Sequence, residues 1–151
     1  MNRVWIYQAD RLLSGEQVQA VETALADFVS SWTAHGSALA GKGIVKDNLF
    51  VILEVDEDQA GVTGCSIDKS VHFLKGLGER LGVDFFDRMK VSFIDDKGTV
   101  NLVGRGEFES LVKSGTVYAD TLVFNNLVQN SIDFGSKWVI PFRDSWHSKV
   151  F

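Results

Sequence analysis

The sequence predicts an α+β fold with a ferredoxin-like split βαβ arrangement, in which an antiparallel sheet carries two helices on one face. Two long segments repeat apolar residues at helical spacing, short β-branched and aromatic runs flank them, and turn-forming residues separate neighbouring runs. The elements alternate as strand, helix, strand, strand, helix, strand, and a C-terminal β-β-α-β-β piece extends them. We expect one domain over residues 1–151, or alternatively a ferredoxin-like core, 1–88, and a small extension, 89–151, that shares the sheet.

The first strand and helix have clear local signals. Residues 4–7 are β-branched and aromatic, which is typical of a short buried strand. Ser14 can cap the following helix, and Gln17 stands three residues later, as a capping box requires. The predicted helix ends near His35 and Gly36, because glycine is the preferred helix terminator. Its apolar face comprises Val18, Val21, Leu25, Phe28 and Trp32.

The middle of the chain predicts a hairpin and a second helix. Residues 40–43 indicate a loop, whereas residues 44–46 and 49–55 can pair across the turn-forming Asp47 and Asn48. The second helix starts around Cys65 or Ser66 and ends at Gly82. We expect Gly78 to permit close packing against the sheet.

The C-terminal part predicts four more strands and one helix. Residues 89–93 alternate apolar and polar side chains, which indicates a half-buried strand. A turn leads into a strand over 99–103, and a helix follows over 106–113. Two further strands cover 121–124 and 137–140, after which Pro141 ends the pairing because it has no N–H to donate.

Composition excludes several classes of protein. The net charge of −5 argues against a broad nucleic-acid surface, which needs clustered positive charge. The single cysteine excludes an intramolecular disulfide and an all-cysteine zinc site. No apolar run is long enough to span a membrane, and the N-terminus does not resemble a signal peptide. We therefore expect a cytoplasmic protein with no membrane insertion and no cofactor.

Three strings are similar to ATPase motifs. Residues 13–17 spell LSGEQ, residues 36–43 nearly match a P-loop, and residues 49–56 form an apolar run that ends in aspartate. A P-loop, however, needs a strand before it and a helix after it, and here the order is reversed. Gly43 also stands where the P-loop hydroxyl should bind Mg²⁺. We therefore do not expect ATPase activity.

The chain resembles two groups of known proteins. The strings RVWIYQ, SSWTAHG, AGVTGCSID, FDRMKV, DTLVFNN and SWHS resemble a family of uncharacterised bacterial proteins of about this length, commonly labelled "ABC transporter ATPase". That resemblance implies a nucleotide-binding protein linked to ABC transport. Residues 107–126 are similar to the helix, turn and strand of bacterial GYF-type modules. This local resemblance implies protein interaction.

One cysteine, two histidines and one aspartate form the candidate catalytic set. Cys65 is predicted at a helix N-terminus, where the helix dipole favours a thiolate. His35 or His147 could activate that thiol, and Asp68 could orient the imidazole. The alternatives are a buried Cys65, a His35 that caps its own helix, and a His147 that packs beside Trp146 or is exposed. We expect His72 to be a surface or boundary residue. No metal is predicted, because these ligands lack close spacing in the sequence.

The C-terminal aromatic residues suggest a contact surface. They either fold back onto the sheet or form an exposed patch for self-association or a protein partner. We therefore hold three hypotheses: a non-catalytic interaction or scaffold module, a small Cys-His hydrolase or thiol-dependent transferase, and a nucleotide-binding protein. The aromatic residues are Trp138, Phe142, Trp146 and Phe151.

Overall fold

The computed structural model describes all of residues 1–151 and contains nine strands and five α-helices. The predicted α+β class is confirmed. The chain folds into two compact units, of which the first comprises residues 1–87 and 129–132 and the second comprises 88–128 and 133–151. No helix combines the length and the apolar character that crossing a membrane requires.

The first unit contains a three-stranded sheet with the split βαβ order. Its strands are β1 (Asn2–Gln8), β4 (Ala40–Lys46) and β5 (Phe50–Asp56), and β5 lies between the other two, antiparallel to both. On β1, Trp5 contacts Trp32 at the end of the first helix, and Tyr7 forms a hydrogen bond with Ser70 of the second helix. Because Trp5 and Tyr7 share one face of the strand, both helices lie on the same face of this sheet.

The strand expected to extend the first sheet belongs to a different sheet. Strand β6 (Lys90–Ile94) has hydrogen-bonded neighbours only in the second unit, so the prediction of a shared sheet was wrong. The outer edge of β1 is bridged instead by residues 129–130. Arg3 pairs with Asn130 there, and the N–H of Val4 donates to the carbonyl of Gln129 at 2.9 Å.

Helix α1 (Gly15–Ser31) begins as predicted and ends earlier than predicted. The Ser14 hydroxyl accepts from the N–H of Gln17, and the Gln17 side chain accepts from the N–H of Ser14, which completes the capping box. Beyond Trp32, the chain forms a small hairpin from β2 (Thr33–Ala34) and β3 (Ser37–Ala38). His35 and Gly36 form its turn, with φ values of 52° and 79°, as a tight two-residue hairpin turn requires.

Strand β4 includes residues 44–46, as predicted, but also residues 40–43, which were predicted to form a loop, and the glycines explain the error. A Cβ on Gly41 would lie 3.1 Å from the Trp32 ring, and one on Gly43 would lie 3.2 Å from Leu25. The glycines therefore allow α1 to pack closely on an extended strand, although in the sequence they resemble loop residues. The predicted turn at Asp47 and Asn48 is confirmed, since both have positive φ.

Helix α2 (Gly64–Leu81) has a capping box of its own and ends at Gly82, as predicted. Thr63 and Ser66 satisfy each other's N–H groups at its start, and Gly82 adopts the left-handed conformation at its end. A Cβ on Gly78 would lie 2.3 Å from the carbonyl oxygen of Val83. Gly78 is thus closely packed, but against the chain that leaves the helix rather than against the sheet.

The second unit is built on a four-stranded antiparallel sheet in the order β7-β6-β8-β9, with β7 (Val100–Gly104), β8 (Leu122–Phe124) and β9 (Val139–Pro141). Helix α3 (Arg105–Lys113) places Phe108 in the core of this unit. Helix α4 (Ser131–Lys137) was not predicted from the sequence. A 3₁₀ turn (Phe142–Asp144) and α5 (His147–Val150) end the chain.

Candidate functional site

Cys65 is exposed on the first turn of α2. Its sulfur has no hydrogen-bond partner. The neighbouring Thr63 and Ser66 form hydrogen bonds with each other instead. The alternative of a buried cysteine is therefore wrong. The thiol is accessible to reagents in solution, while no side chain is positioned to activate it by hydrogen bonding.

His35 and Asp68 belong to the same unit as Cys65 but form no constellation with it. His35 is exposed in the turn between β2 and β3, and Asp68 is exposed on α2. Neither side chain makes a hydrogen bond or an ion pair. The alternative of a His35 cap on α1 was wrong, because α1 ends before the hairpin. His72 is exposed on α2, as predicted.

His147 lies in the core of the second unit, and its surroundings keep it neutral. The imidazole is 2% exposed, stacks on Trp146 at 3.8 Å and lies near the Phe108 ring. Its Nδ1 is 2.6 Å from the Ser145 hydroxyl. Burial, and to a smaller extent the positive charge of Arg105, lower the pKa of His147 to about 4. The imidazole is therefore shielded from solvent.

The structure contains no group of three or more His, Cys, Asp or Glu side chains that could hold a metal ion. The ATPase-like strings also lack the geometry for phosphate binding. Residues 13–17 cap α1, and residues 36–43 run from a hairpin turn into β4, whose backbone pairs with β5. Backbone N–H groups in a paired strand do not converge on a phosphate as they do at a helix start.

The C-terminal aromatic residues are packed within the second unit. Trp138 is buried and contacts Phe124, while Phe142 and Phe151 both contact the fully buried Phe108. Trp146 stacks on His147. The expectation of an exposed aromatic patch was therefore wrong, and the alternative that the tail folds back is correct. The physical reason is that these rings complete a core that the short sheet and α3 do not close alone.

The second sheet presents apolar side chains on the face opposite its core. On the core face, Phe93 lies between Asn101 and Val123. One residue further along each strand, the side chains point to the opposite face, on which Ser92 and Phe124 are buried. There, four residues are direct neighbours across all four strands and form what we call the apolar row: Val100, Ile94, Leu122 and Pro141.

The apolar row is only partly covered. Leu122 remains 38% exposed at its centre, and Val139 is 36% exposed on the adjacent strand. At one end of the row, the hairpin between β6 and β7 is fixed by Asp95, which accepts hydrogen bonds from Asn101, Thr99 and Lys97. These bonds lower the pKa of Asp95, that of Asn101 contributing most. The row is therefore a partly exposed apolar surface beside a hydrogen-bonded hairpin.

The first sheet has one bridged edge and one open edge. Residues 129–130 bridge the edge of β1, whereas β4 has β5 on one side and no strand on the other. Backbone groups of residues 40–45 make hydrogen bonds only with β5. We call the outward side of β4 the open edge. On it, Ile44 is 47% exposed, and Lys42 forms an ion pair with Glu54 at 3.2 Å.

A groove of about 380 Å³ lies at the C-terminal end of α2 in the first unit. Its polar groups are largely engaged: Asp10 accepts from the N–H of Asp84, Asp84 accepts from the N–H of Phe86, and Lys75 lies over the Phe86 ring. Tyr7 packs against the same Phe86 ring, and burial raises its pKa. The groove thus offers little free polar chemistry to a small ligand.

Sequence reasoning missed both surfaces and the Ser145–His147 pair. The apolar row depends on strand register, and the open edge depends on which strands find partners, so neither has a local signal in the sequence. Comparison of the chain with models of protein families, with curated proteins and with solved structures found no match.

Proposed function

We propose that the protein is a non-catalytic interaction module that binds the apolar face of another folded protein through the apolar row. The observation that carries the proposal is the alignment of four apolar side chains across the second sheet, outside its core. Partly exposed apolar residues on a rigid sheet are typical of protein contact surfaces. The row itself contains no charged residue, which favours an apolar partner surface over a charged one.

The placement of the reactive side chains also supports an interaction role over catalysis. Cys65 has no hydrogen-bond partner, and His147 is buried beside Ser145 and Trp146. General acid–base catalysis, and nucleophilic catalysis in which a base activates the thiol, both need a base within hydrogen-bond reach of the reacting group. The local resemblance of residues 107–126 to GYF-type modules is consistent with the same role, since β8 and most of α3 fall within that segment.

The test replaces one residue of the row and one more exposed leucine outside it. Leu122→Glu places a charge at the centre of the row, and Leu127→Glu places the same charge on a side chain that is more exposed and lies outside the row. Both variants should fold, which circular dichroism verifies. We expect a protein captured from the native host by the wild type to be retained by Leu127→Glu and lost by Leu122→Glu. Equal retention or equal loss by the two variants contradicts the proposal.

A further inference from the structure

We propose that residues 144–151 detach from the second unit as one piece, and that protonation of His147 triggers the detachment. We call these residues the terminal segment. They lie on the core face of the second sheet and not on the apolar row, so the inference goes beyond the proposed function. The terminal segment is attached through side chains alone, and a buried titratable group lies at the centre of that attachment.

The backbone of the terminal segment is not hydrogen-bonded to the sheet or to α3. Just before the segment, the N–H of Arg143 still donates to the carbonyl of Ala119 at 3.1 Å. Beyond Arg143, the backbone hydrogen bonds all lie within residues 142–151. Helix α5 is four residues long and has no side-chain cap at its start. The terminal segment can therefore open while every strand of the second sheet remains paired.

Aromatic rings attach the terminal segment to α3. His147 and Phe151 both contact the ring of Phe108, at centroid distances of 6.0 and 4.9 Å. The two residues are one helical turn apart, and the N–H of Phe151 donates to the carbonyl of His147 at 2.9 Å. Trp146 stacks on the same imidazole at 3.8 Å. Because these rings share one neighbour and one short helix, we expect them to leave the core together.

His147 is the titratable group in this attachment. Its imidazole is 2% exposed, and its hydrogen-bond partner is the Ser145 hydroxyl rather than a carboxylate. The charge that acts on it is that of Arg105, whose guanidinium lies over the Phe151 ring at 5.2 Å. Protonation in place buries a second positive charge near that of Arg105, whereas detachment returns the imidazole to water. The other charged side chains of α3 and the terminal segment are exposed: Glu107, Glu109, Lys113, Asp144 and Lys149.

Detachment uncovers the ring of Phe108, which is fully buried in the closed form. This ring belongs to the core cluster that also contains Phe93 and Val123. Since both of these residues lie in paired strands, the sheet supports what remains of the core. The terminal segment is thus a cover that opens on acidification and exposes an apolar surface on the α3 side of the second unit.

The test is amide hydrogen exchange of the full chain under native conditions, at about pH 7.5 and about pH 5 and with increasing low concentrations of urea. The hydrogen-bonded amides of Ser148, Lys149 and Phe151 should share one opening. That opening should be more populated and less dependent on urea than the opening that exposes the amides of β6. Protection of the terminal segment equal to that of β6, with equal dependence on urea, overturns the inference.

The pH dependence of the same opening tests the trigger. The pKa of His147 is about 4 in the closed form, against an ordinary value of 6.5, so acidification from about pH 7.5 to about pH 5 should raise the opening constant roughly 30-fold. His147→Gln should abolish this change, and His72→Gln, on an exposed residue of α2, should keep it. An equal change in His147→Gln and the wild type overturns the assignment of His147 as the trigger.

A second variant tests whether the terminal segment moves as one piece. Phe151→Ala removes a ring that contacts Phe108, and Val150→Ala is the matched control because Val150 is 55% exposed. Phe151→Ala should lower the protection of the Ser148 and Lys149 amides together, by roughly 10-fold, and Val150→Ala should leave it unchanged. A loss confined to the amide of residue 151, or an equal loss in Val150→Ala, overturns the inference. None of these variants alters the apolar row, so failure here leaves the proposed function standing.

Discussion

Acidification should destabilise the second unit through His147. The folded environment holds the pKa of this imidazole at about 4, against an ordinary value of 6.5 in the unfolded chain. At pH values between these two pKa values, His147 binds a proton in the unfolded state but not in the folded state. The stabilising effect is therefore fully present above about pH 6.5 and is lost as the pH falls towards 4.

The magnitude follows from the size of the shift. A depression of the His147 pKa from 6.5 to about 4 corresponds to roughly 3 kcal/mol of stability at neutral pH. Of this, about 2 kcal/mol should be lost between about pH 7.5 and about pH 5. Other groups titrate over the same range, so the quantity to compare is the difference between the wild type and a variant that lacks the imidazole.

His147→Gln removes the titrating group, and His72→Gln is the matched control because His72 is exposed. The assay is urea unfolding at the two pH values, followed by the NMR resonances of Phe93 and Val123 in the core of the second unit. We expect the wild type and His72→Gln to lose about 2 kcal/mol more than His147→Gln. Parallel losses in all three proteins would refute the reasoning, since His147 would then titrate as an exposed histidine does.

Three further predictions concern the first unit. Iodoacetamide should alkylate Cys65 in the folded protein at a rate that His35→Gln leaves unchanged; a fast reaction that slows in this variant would restore the Cys-His enzyme hypothesis. Gly78→Ala should lower the free energy of unfolding by about 1–3 kcal/mol because its Cβ would collide with the Val83 carbonyl, whereas Gly76→Ala, with open space around it, should raise it by up to about 1 kcal/mol. The same sign for both glycine variants in thermal denaturation would contradict the packing argument. Ser14→Ala should cost about 1 kcal/mol by removing the cap of α1, and an unchanged melting temperature would contradict this.

Elements with local signals were predictable. The capping box of Ser14 and Gln17, the turn at Asp47 and Asn48, and the end of α2 at Gly82 all depend on residues within a few positions of each other. The residues that determine their hydrogen bonds and dihedral angles are therefore adjacent in the sequence. The end of α1 was missed because the glycine expected to stop it, Gly36, instead forms a hairpin turn with His35.

Elements selected by distant contacts were not predictable. Gly41 and Gly43 resemble loop residues, and only the close approach of Trp32 and Leu25 explains why they lie in a strand. The burial of His147 also results from contacts with residues that are distant in the sequence. Its burial depends on Phe108, about 40 residues earlier in the chain, and no local pattern near the C-terminus reports that contact. The buried His147 therefore does not provide the accessible imidazole that the catalytic hypothesis needed, and the exposed His35 forms no hydrogen bond with Cys65.

The apolar row illustrates why contact surfaces are harder to predict than cores. Leu122, Val123 and Phe124 are consecutive apolar residues, so the sequence does not indicate which of them face outward. The pairing of Phe93 with Val123 determines which face of the sheet each of the three residues occupies, because opposite residues in an antiparallel pair share a face. A slip of one residue would bury Leu122 and expose Val123. The surface on which the proposed function depends is thus a consequence of register, and register is fixed by the whole second unit rather than by any segment of it.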